Sequence, residues 1–309
     1  MHSFTKFIFV VLPEVHLLDL AGPDQVISEA IDMGANFKIE YAGIKNDINT
    51  SAGLGINRLN HFSKVKLRPG DFIILPGSRV KYILSGSFKK NTALFNWLTE
   101  AYQKKVNLVS ICVGAFTLAE TGLLNGLTCT THFQLTKKLR EKYPMVKVKE
   151  NVLYVHENNI YTSAGIASGI DLMLHILEQL TDSYFAHKIA RELVVYNRRD
   201  GIADQITVYF NYRNHMHSGI HNVQNHIIEN ISQKNHLGQL AGIANMSERN
   251  FTRIFKKETG LSVNEYITKV RSEKIKELKL NPGFSKKQIA FKVGLTSEKQ
   301  VERLSKKIG

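Results

Sequence analysis

The sequence predicts an α/β domain with a largely parallel sheet, followed by an all-α domain built from two helix-turn-helix units. Through the first half, short apolar runs bounded by turn residues alternate with helical patterns. Towards the C-terminus a helix-turn-helix pattern occurs twice, around Gln239 to Lys257 and again around Gln288 to Lys307. Charge is uneven as well: residues 1–200 hold 23 basic and 18 acidic side chains, residues 201–309 hold 18 and 9. A lysine-rich composition alone would raise the pI, so the charge supports the repeated motif without replacing it.

Phe7 to Leu12 reads as a buried strand, Pro23 to Met33 as a helix with proline in its first turn, and Phe37 to Ala42 as a second strand. Asp71 to Leu75 is a strand ending at Pro76-Gly77; Thr92 to Lys104 is helical and Val106 to Ile111 is a further strand. Sheets of this kind bind ligands at the carboxyl ends of their strands, which directs attention to the residues after Leu12, Leu75 and Ile111. Directly after Ile111, Cys112-Val113-Gly114-Ala115-Phe116 leads into a helix over Thr117 to Thr121. A lone cysteine among small residues between strand and helix has the pattern of a nucleophile elbow. The helix dipole and free N–H groups there would favour a thiolate.

Asp19 is placed to hydrogen-bond the sulfur or a ligand amine, His132 to act as a base, and the Gly77-Ser78 turn to supply backbone donors. The candidate ligand site is therefore Asp19, Gly77, Ser78, Cys112, Val113 and His132, with Cys112, His132 and Asp19 as the catalytic candidates. Plainer roles stand beside these. Cys112 also reads as a small buried residue, Asp19 as a cap for the helix near Pro23, and His132 as a cap or packing group for the helix starting at Phe133. Cys129 reads as core. Cys112 and Cys129 lack metal-ligand spacing, and His215, His217 and His221 stand at i, i+2, i+6, so neither a metal nor a cofactor is expected.

The segment 198–218 is polar and reads as a linker, with a break at Arg198-Arg199-Asp200-Gly201, between domains at 1–197 and 219–309. His221 to Ile231 follows as a helix burying Val223, Ile227 and Ile231. In the first helix-turn-helix copy, Leu237, Leu240, Ala241 and Ala244 share a face and Ser247 is a natural N-cap. Phe251, Ile254 and Phe255 then form a stripe that leaves Arg249, Asn250, Thr252, Arg253, Lys256 and Lys257 outside. These types suit a major groove: arginine is bidentate to guanine, asparagine to adenine, and lysine neutralises phosphate.

The second copy opens at Ser285 with Gln288 as its capping-box partner, turns at Gly294 to Ser297, and would present Lys299, Gln300, Arg303, Lys306 and Lys307. Val301 and Ser305 stand where Phe251 and Phe255 stood, so this copy is the weaker expectation. Two ordinary amphipathic helix pairs would show similar stripes; tandem occurrence on a basic segment favours DNA. No apolar run approaches the roughly 18 residues of a membrane span. Met1 to Lys6 lacks a signal-peptide pattern, and a cytoplasmic protein is expected.

With both halves in view, the chain resembles an AraC/XylS-type transcriptional regulator with an N-terminal ThiJ/PfpI, glutamine-amidotransferase-like domain. The segment Leu240-Ala241 through Met246 to Ser262, followed by Tyr266 and Arg271, carries the resemblance at the C-terminus. In the first half it is carried by Leu18 to Pro23, Ile74 to Gly77, Ser110 to Ala119, Gly122 to Gly126, Thr130-Thr131-His132, Thr162 to Gly165 and Gly169-Ile170-Asp171. The resemblance implies a flavodoxin-like sensory domain, often dimeric, and two helix-turn-helix units bridged by a long helix. That bridge would run from Val263 to about Leu280 and end at Asn281-Pro282-Gly283.

It further implies a regulator, usually an activator, responding to a small and often nitrogen-containing metabolite. Its partners would be double-stranded DNA, the effector, RNA polymerase and a second copy of the chain through the N-terminal domain. Two departures stand out: Val113 follows Cys112 where PfpI-type hydrolases commonly have histidine, and family members usually continue several residues past the position of Gly309. The alternative function is a cysteine-dependent hydrolase or hydratase using Cys112, and a third is redox sensing at that thiol.

Overall fold

The structure, a computed structural model of the chain, describes residues 4–195, 199, 201, 212–213, 215–279 and 283–306. The chain divides after Gln205 into two compact units.

The first unit opens with β1 (Thr5–Val11), α1 (Leu17–Asp32), β2 (Phe37–Gly43) and a ribbon of β3 (Ile48–Asn49) and β4 (Gly55–Ile56). It continues with β5 (Asn60–His61), β6 (Phe72–Leu75), the short helices α2 (Val80–Ile83) and α3 (Gly86–Lys89), then α4 (Thr92–Gln103), β7 (Asn107–Ile111) and α5 (Gly114–Glu120). After β8 (Thr128–Cys129), α6 (Thr136–Lys142) and β9 (Lys147–Val148) come β10 (Tyr154–Glu157), β11 (Ile160–Ser163), α7 (Ala167–Leu180) and α8 (Ser183–Glu192). The main sheet runs β10-β11-β7-β6-β1-β2-β5, parallel throughout except where β10 lies antiparallel to β11.

β1, β6 and β7 are almost wholly buried, as strands must be when both faces of a parallel sheet are covered. β1 lies between β2 and β6, so the winding direction of the sheet reverses at its carboxyl end. A crevice opens at such a reversal. The expected strand-helix alternation is present, with two adjustments. α1 begins at Leu17 rather than near Pro23, and the proline sits inside the helix, where it cannot donate to the carbonyl of Asp19. α5 begins at Gly114, three residues before the expected start.

Arg199 is tied to this unit: its N–H and guanidinium bind the carboxylate of Asp171 at 3.1 and 2.6 Å. The carbonyl of Gly201 accepts from Leu153 at 2.8 Å. These two residues of the expected break are thus packed; Arg198 and Asp200 lie outside the described residues, as do Leu280, Asn281, Pro282 and Lys307.

The second unit is helical where described: α9 (Ser218–Glu229), α10 (Leu237–Ile243), α11 (Glu248–Thr259), α12 (Val263–Lys279), α13 (Lys286–Lys292) and α14 (Glu298–Lys306). Ile220, Val223, Ile227, Leu240, Ala241, Phe251, Phe255 and Tyr266 form one core. Ile275, Ile289, Ala290, Val293, Val301 and Leu304 form another. α12 contributes to both, which makes it the bridge between two packed units. Leu237, expected on the core face, is exposed.

Candidate functional site

In the first unit three strand ends converge on Cys112. His16 and Asp19 follow β1, Gly77 follows β6 and Cys112 follows β7. Cys112 has a φ of 57°, a left-handed conformation that a non-glycine residue keeps only where its surroundings enforce it. Its N–H donates to the Ser163 carbonyl at 3.0 Å, and its carbonyl accepts the Thr131 hydroxyl at 2.8 Å. Two glycines make the room. A Cβ on Gly165, whose φ is 92°, would overlap the Cys112 side chain, and one on Gly77 would lie 2.5 Å from Asp19 Oδ2 and 3.0 Å from Cys112 Cβ. Gly114 lets α5 start hard against the Leu75 carbonyl.

Asp19 is fully buried. Its Oδ1 accepts the N–H of Ile166 at 2.7 Å, while Oδ2 has no hydrogen-bond partner and stands 3.4 Å from His16 Nδ1. A ligand atom from each of His16, Asp19 and Cys112 lies within 4.8 Å of the other two. Burial, followed by the neighbouring Asp19 carboxylate, pushes the Cys112 thiol far above its ordinary range; the Val113 N–H opposes this and is outweighed. The expected dipole-stabilised thiolate is corrected accordingly. Desolvation and the neighbouring carboxylate both work against the thiolate that the start of α5 was expected to favour.

His132 takes a local role. Its Nδ1 accepts the N–H of Gln134 at 3.4 Å, capping the turn Phe133–Leu135, and its ring lies 4.5 Å from that of Phe133. Burial lowers its pKa against the opposing pull of Asp19. The imidazole grouped with the thiol and carboxylate belongs instead to His16, whose side chain is 36% exposed. The Gly77 carbonyl accepts from the His16 N–H at 2.8 Å, tying the end of β6 to the residue that follows β1. The Ser78 hydroxyl is buried without a hydrogen-bond partner.

In the second unit α11 buries Phe251 and Phe255, whose rings meet edge-on at 5.6 Å, and Phe255 meets Tyr266 in the same way at 5.6 Å. That packing turns Arg249, Asn250, Thr252, Arg253, Lys256 and Lys257 to solvent. Arg253 Nη2 is held by Asn250 Oδ1 at 2.8 Å, while the Thr252 hydroxyl is folded back onto the Glu248 and Arg249 carbonyls. Ser247 sits at the N-cap position, but its side chain makes no capping bond. At the second copy the Ser285–Gln288 capping box is complete.

On α14, Lys299 and Arg303 are exposed. Gln300 is differently used: its Oε1 accepts from Thr296 N at 2.9 Å and Ser297 N at 3.3 Å, capping its own helix. α14 closes its core with Val301 and Leu304, the latter filling the role expected at Ser305, whose hydroxyl binds the Val301 carbonyl at 2.8 Å. Nothing is described of the Lys306 side chain.

Residues 5–179, more than half of the chain, match the DJ-1/PfpI family. The chain belongs to that family. Residues 240–308 match a helix-turn-helix domain, so the DJ-1/PfpI domain is joined in one chain to a domain of AraC type. The chain is similar to the HTH-type transcriptional regulator GbdR of Pseudomonas aeruginosa, 26% identical over 194 residues, 62% of this chain and 52% of that protein. It therefore spans about half the length of that regulator. It is also similar to the isonitrile hydratase of Pseudomonas putida, 26% identical over 56% of this chain and 70% of the hydratase. The crystal structure of an AraC family transcriptional regulator from Pseudomonas putida shares the fold, with a TM-score of 0.54 and 17% identity over 61% of this chain and 99% of that one.

Within the DJ-1/PfpI domain, sequence reasoning found Asp19, Gly77 and Cys112 but missed His16, Gly165 and Ile166. His16 follows β1, where the strand-end rule pointed, and lies three residues before Asp19 on one face of α1. Gly165 was part of a matching motif, but its contact with Cys112 spans distant sequence.

Proposed function

We propose that the protein is a sequence-specific DNA-binding transcriptional regulator, an activator acting on RNA polymerase in the cytoplasm, whose DJ-1/PfpI domain (1–197) senses a small molecule and pairs with a second copy of the chain. The observation that carries the reading is α11. It is anchored by Phe251 and Phe255 and turns five cationic or amide side chains outward from a packed helix-turn-helix unit. Its hydrogen-bonding groups match major-groove edges and phosphates. α12, 17 residues long, spans about 25 Å and joins the two helix-turn-helix copies; Lys299 and Arg303 of the second copy would extend the footprint of the first.

The effector pocket lies around Asp19, Gly77, Ser78, Cys112, Val113 and His132, with His16 partly exposed beside Asp19. The buried carboxylate of Asp19, whose Oδ2 lacks a well-formed hydrogen bond, favours an electropositive ligand group, the N–H donors of a nitrogen-containing metabolite among them. Genomic fragments recovered on the native protein test the whole reading. The expected result is a discrete site with half-elements about one helical turn apart; binding without sequence preference overturns it.

A second reading, a cysteine-dependent hydratase or hydrolase, draws on the strained Cys112 elbow and the similarity to a hydratase. Burial and Asp19 raise the Cys112 thiol, which suits proton donation better than attack by a free thiolate. Turnover of an isonitrile that disappears in Cys112→Ala would establish this activity. No turnover, with DNA binding intact, removes it.

A further inference from the structure

The chemistry of the Cys112 crevice does not end with a thiol and a carboxylate. The buried Oδ2 of Asp19 lacks a well-formed hydrogen bond and faces the Cys112 thiol and, at 3.4 Å, His16 Nδ1, a costly placement for a buried carboxylate oxygen. The donor atoms facing it are a sulfur and an imidazole nitrogen, and all three stand within 4.8 Å of one another. Two ligands held about 2.0–2.1 Å from one tetrahedral ion are separated by about 3.3–3.4 Å. The 3.4 Å between His16 Nδ1 and Asp19 Oδ2 matches that spacing before any ion is bound.

We infer that His16, Asp19 and Cys112 form a binding site for a borderline divalent metal ion of the zinc type, with three protein ligands and an open fourth position. Sulfur, imidazole and carboxylate together select such an ion over magnesium or calcium, which take oxygen ligands. The Cys112 proton passes to solvent as the sulfur–metal bond forms. Thiolate and carboxylate then balance the 2+ charge, so the buried set becomes neutral.

The supporting groups are in place. The Ile166 N–H holds the other oxygen of Asp19 at 2.7 Å, fixing the carboxylate as an outer-shell donor does. Gly77 and Gly165 hold Cys112 against the crevice. His16, partly exposed, is the ligand free to close the remaining distance by a side-chain rotation and to admit a water or effector atom at the fourth position. This deepens the effector reading and rests on it only for the ion's role as a signal. Binding is measured without DNA, so failure of one is told apart from failure of the other.

The experiment uses the full chain, reduced, stripped with a chelator and titrated with Co²⁺ alone, followed by Zn²⁺. The expected result is one Co²⁺ per chain with a sulfur-to-cobalt charge-transfer band that Zn²⁺ abolishes. The band is lost in Cys112→Ser and kept in Cys129→Ser. Affinity falls at least about 10-fold in His16→Gln, the cost usual even for a supporting group. Absence of the band in the native chain, or its survival in Cys112→Ser, overturns the site. Should Cys112→Ser fail to fold by circular dichroism, His16→Gln decides, because that side chain is partly exposed; unchanged Co²⁺ affinity there overturns the proposal.

Discussion

Cys112 keeps its left-handed backbone because Ser163, Thr131 and two glycines leave it no other place, and the same enclosure fixes its chemistry. Burial and Asp19 raise its thiol, and burial raises that of Cys129 to about 12, so thiolate is scarce in both at neutral pH. Neither cysteine of the metal-free native chain should alkylate with iodoacetamide at about pH 8, a level at which free thiols begin to ionise; rapid labelling of Cys112, read by mass spectrometry, would contradict this. Asp19→Asn removes the negative charge that opposes the thiolate. The Cys112 titration should then move to lower pH, and alkylation at a fixed alkaline pH should speed up. Gly165→Ala places a Cβ on Cys112 at a φ of 92° and should cost about 2–4 kcal/mol in chemical denaturation. Asp19 and Cys112 were legible because each follows an apolar strand run. His16 was passed over since a histidine beside an acidic residue has no distinguishing pattern until a distant cysteine is folded against it.

At the scale of elements, α11 and α14 differ in what anchors them. Phe255→Ala empties a fully buried ring position and should cost about 3–5 kcal/mol of the second unit's stability, read from its thermal or denaturant transition. Ser285→Ala removes a complete capping box and should cost about 1 kcal/mol. On the outer face, Arg253→Ala should weaken binding to the preferred site by about 1–3 kcal/mol and relax preference at one base, whereas Lys257→Ala should weaken all sequences alike. Equal effects of the two on specific and non-specific DNA would take Arg253 out of base reading. The stripe of Phe251, Ile254 and Phe255 was readable from periodicity. The capping bonds of Gln300 are not legible in the sequence, since a helix surface residue and a capping residue look alike until the turn at Thr296 and Ser297 brings their N–H groups to its side chain.

At the scale of the molecule, six exposed cations lie on α11 and α14 among the described residues: Arg249, Arg253, Lys256, Lys257, Lys299 and Arg303. If all six engage phosphates, log affinity should fall with log salt at a slope of about −5, and a slope near zero would remove this surface as the DNA interface. The sequence by itself determined the division into a wound-sheet domain and a paired helix-turn-helix domain, because periodicity, turn residues and charge are properties of neighbouring residues. It also directed attention to the strand ends after Leu12, Leu75 and Ile111, since parallel sheets open there. Folding alone places His16, rather than His132, with Asp19 and Cys112, buries the Cys112 thiol beside a carboxylate that raises its pKa, and packs the second helix-turn-helix copy on Val301 and Leu304. Those outcomes depend on distances between residues far apart in the chain, on which desolvation and packing act and which local pattern does not encode.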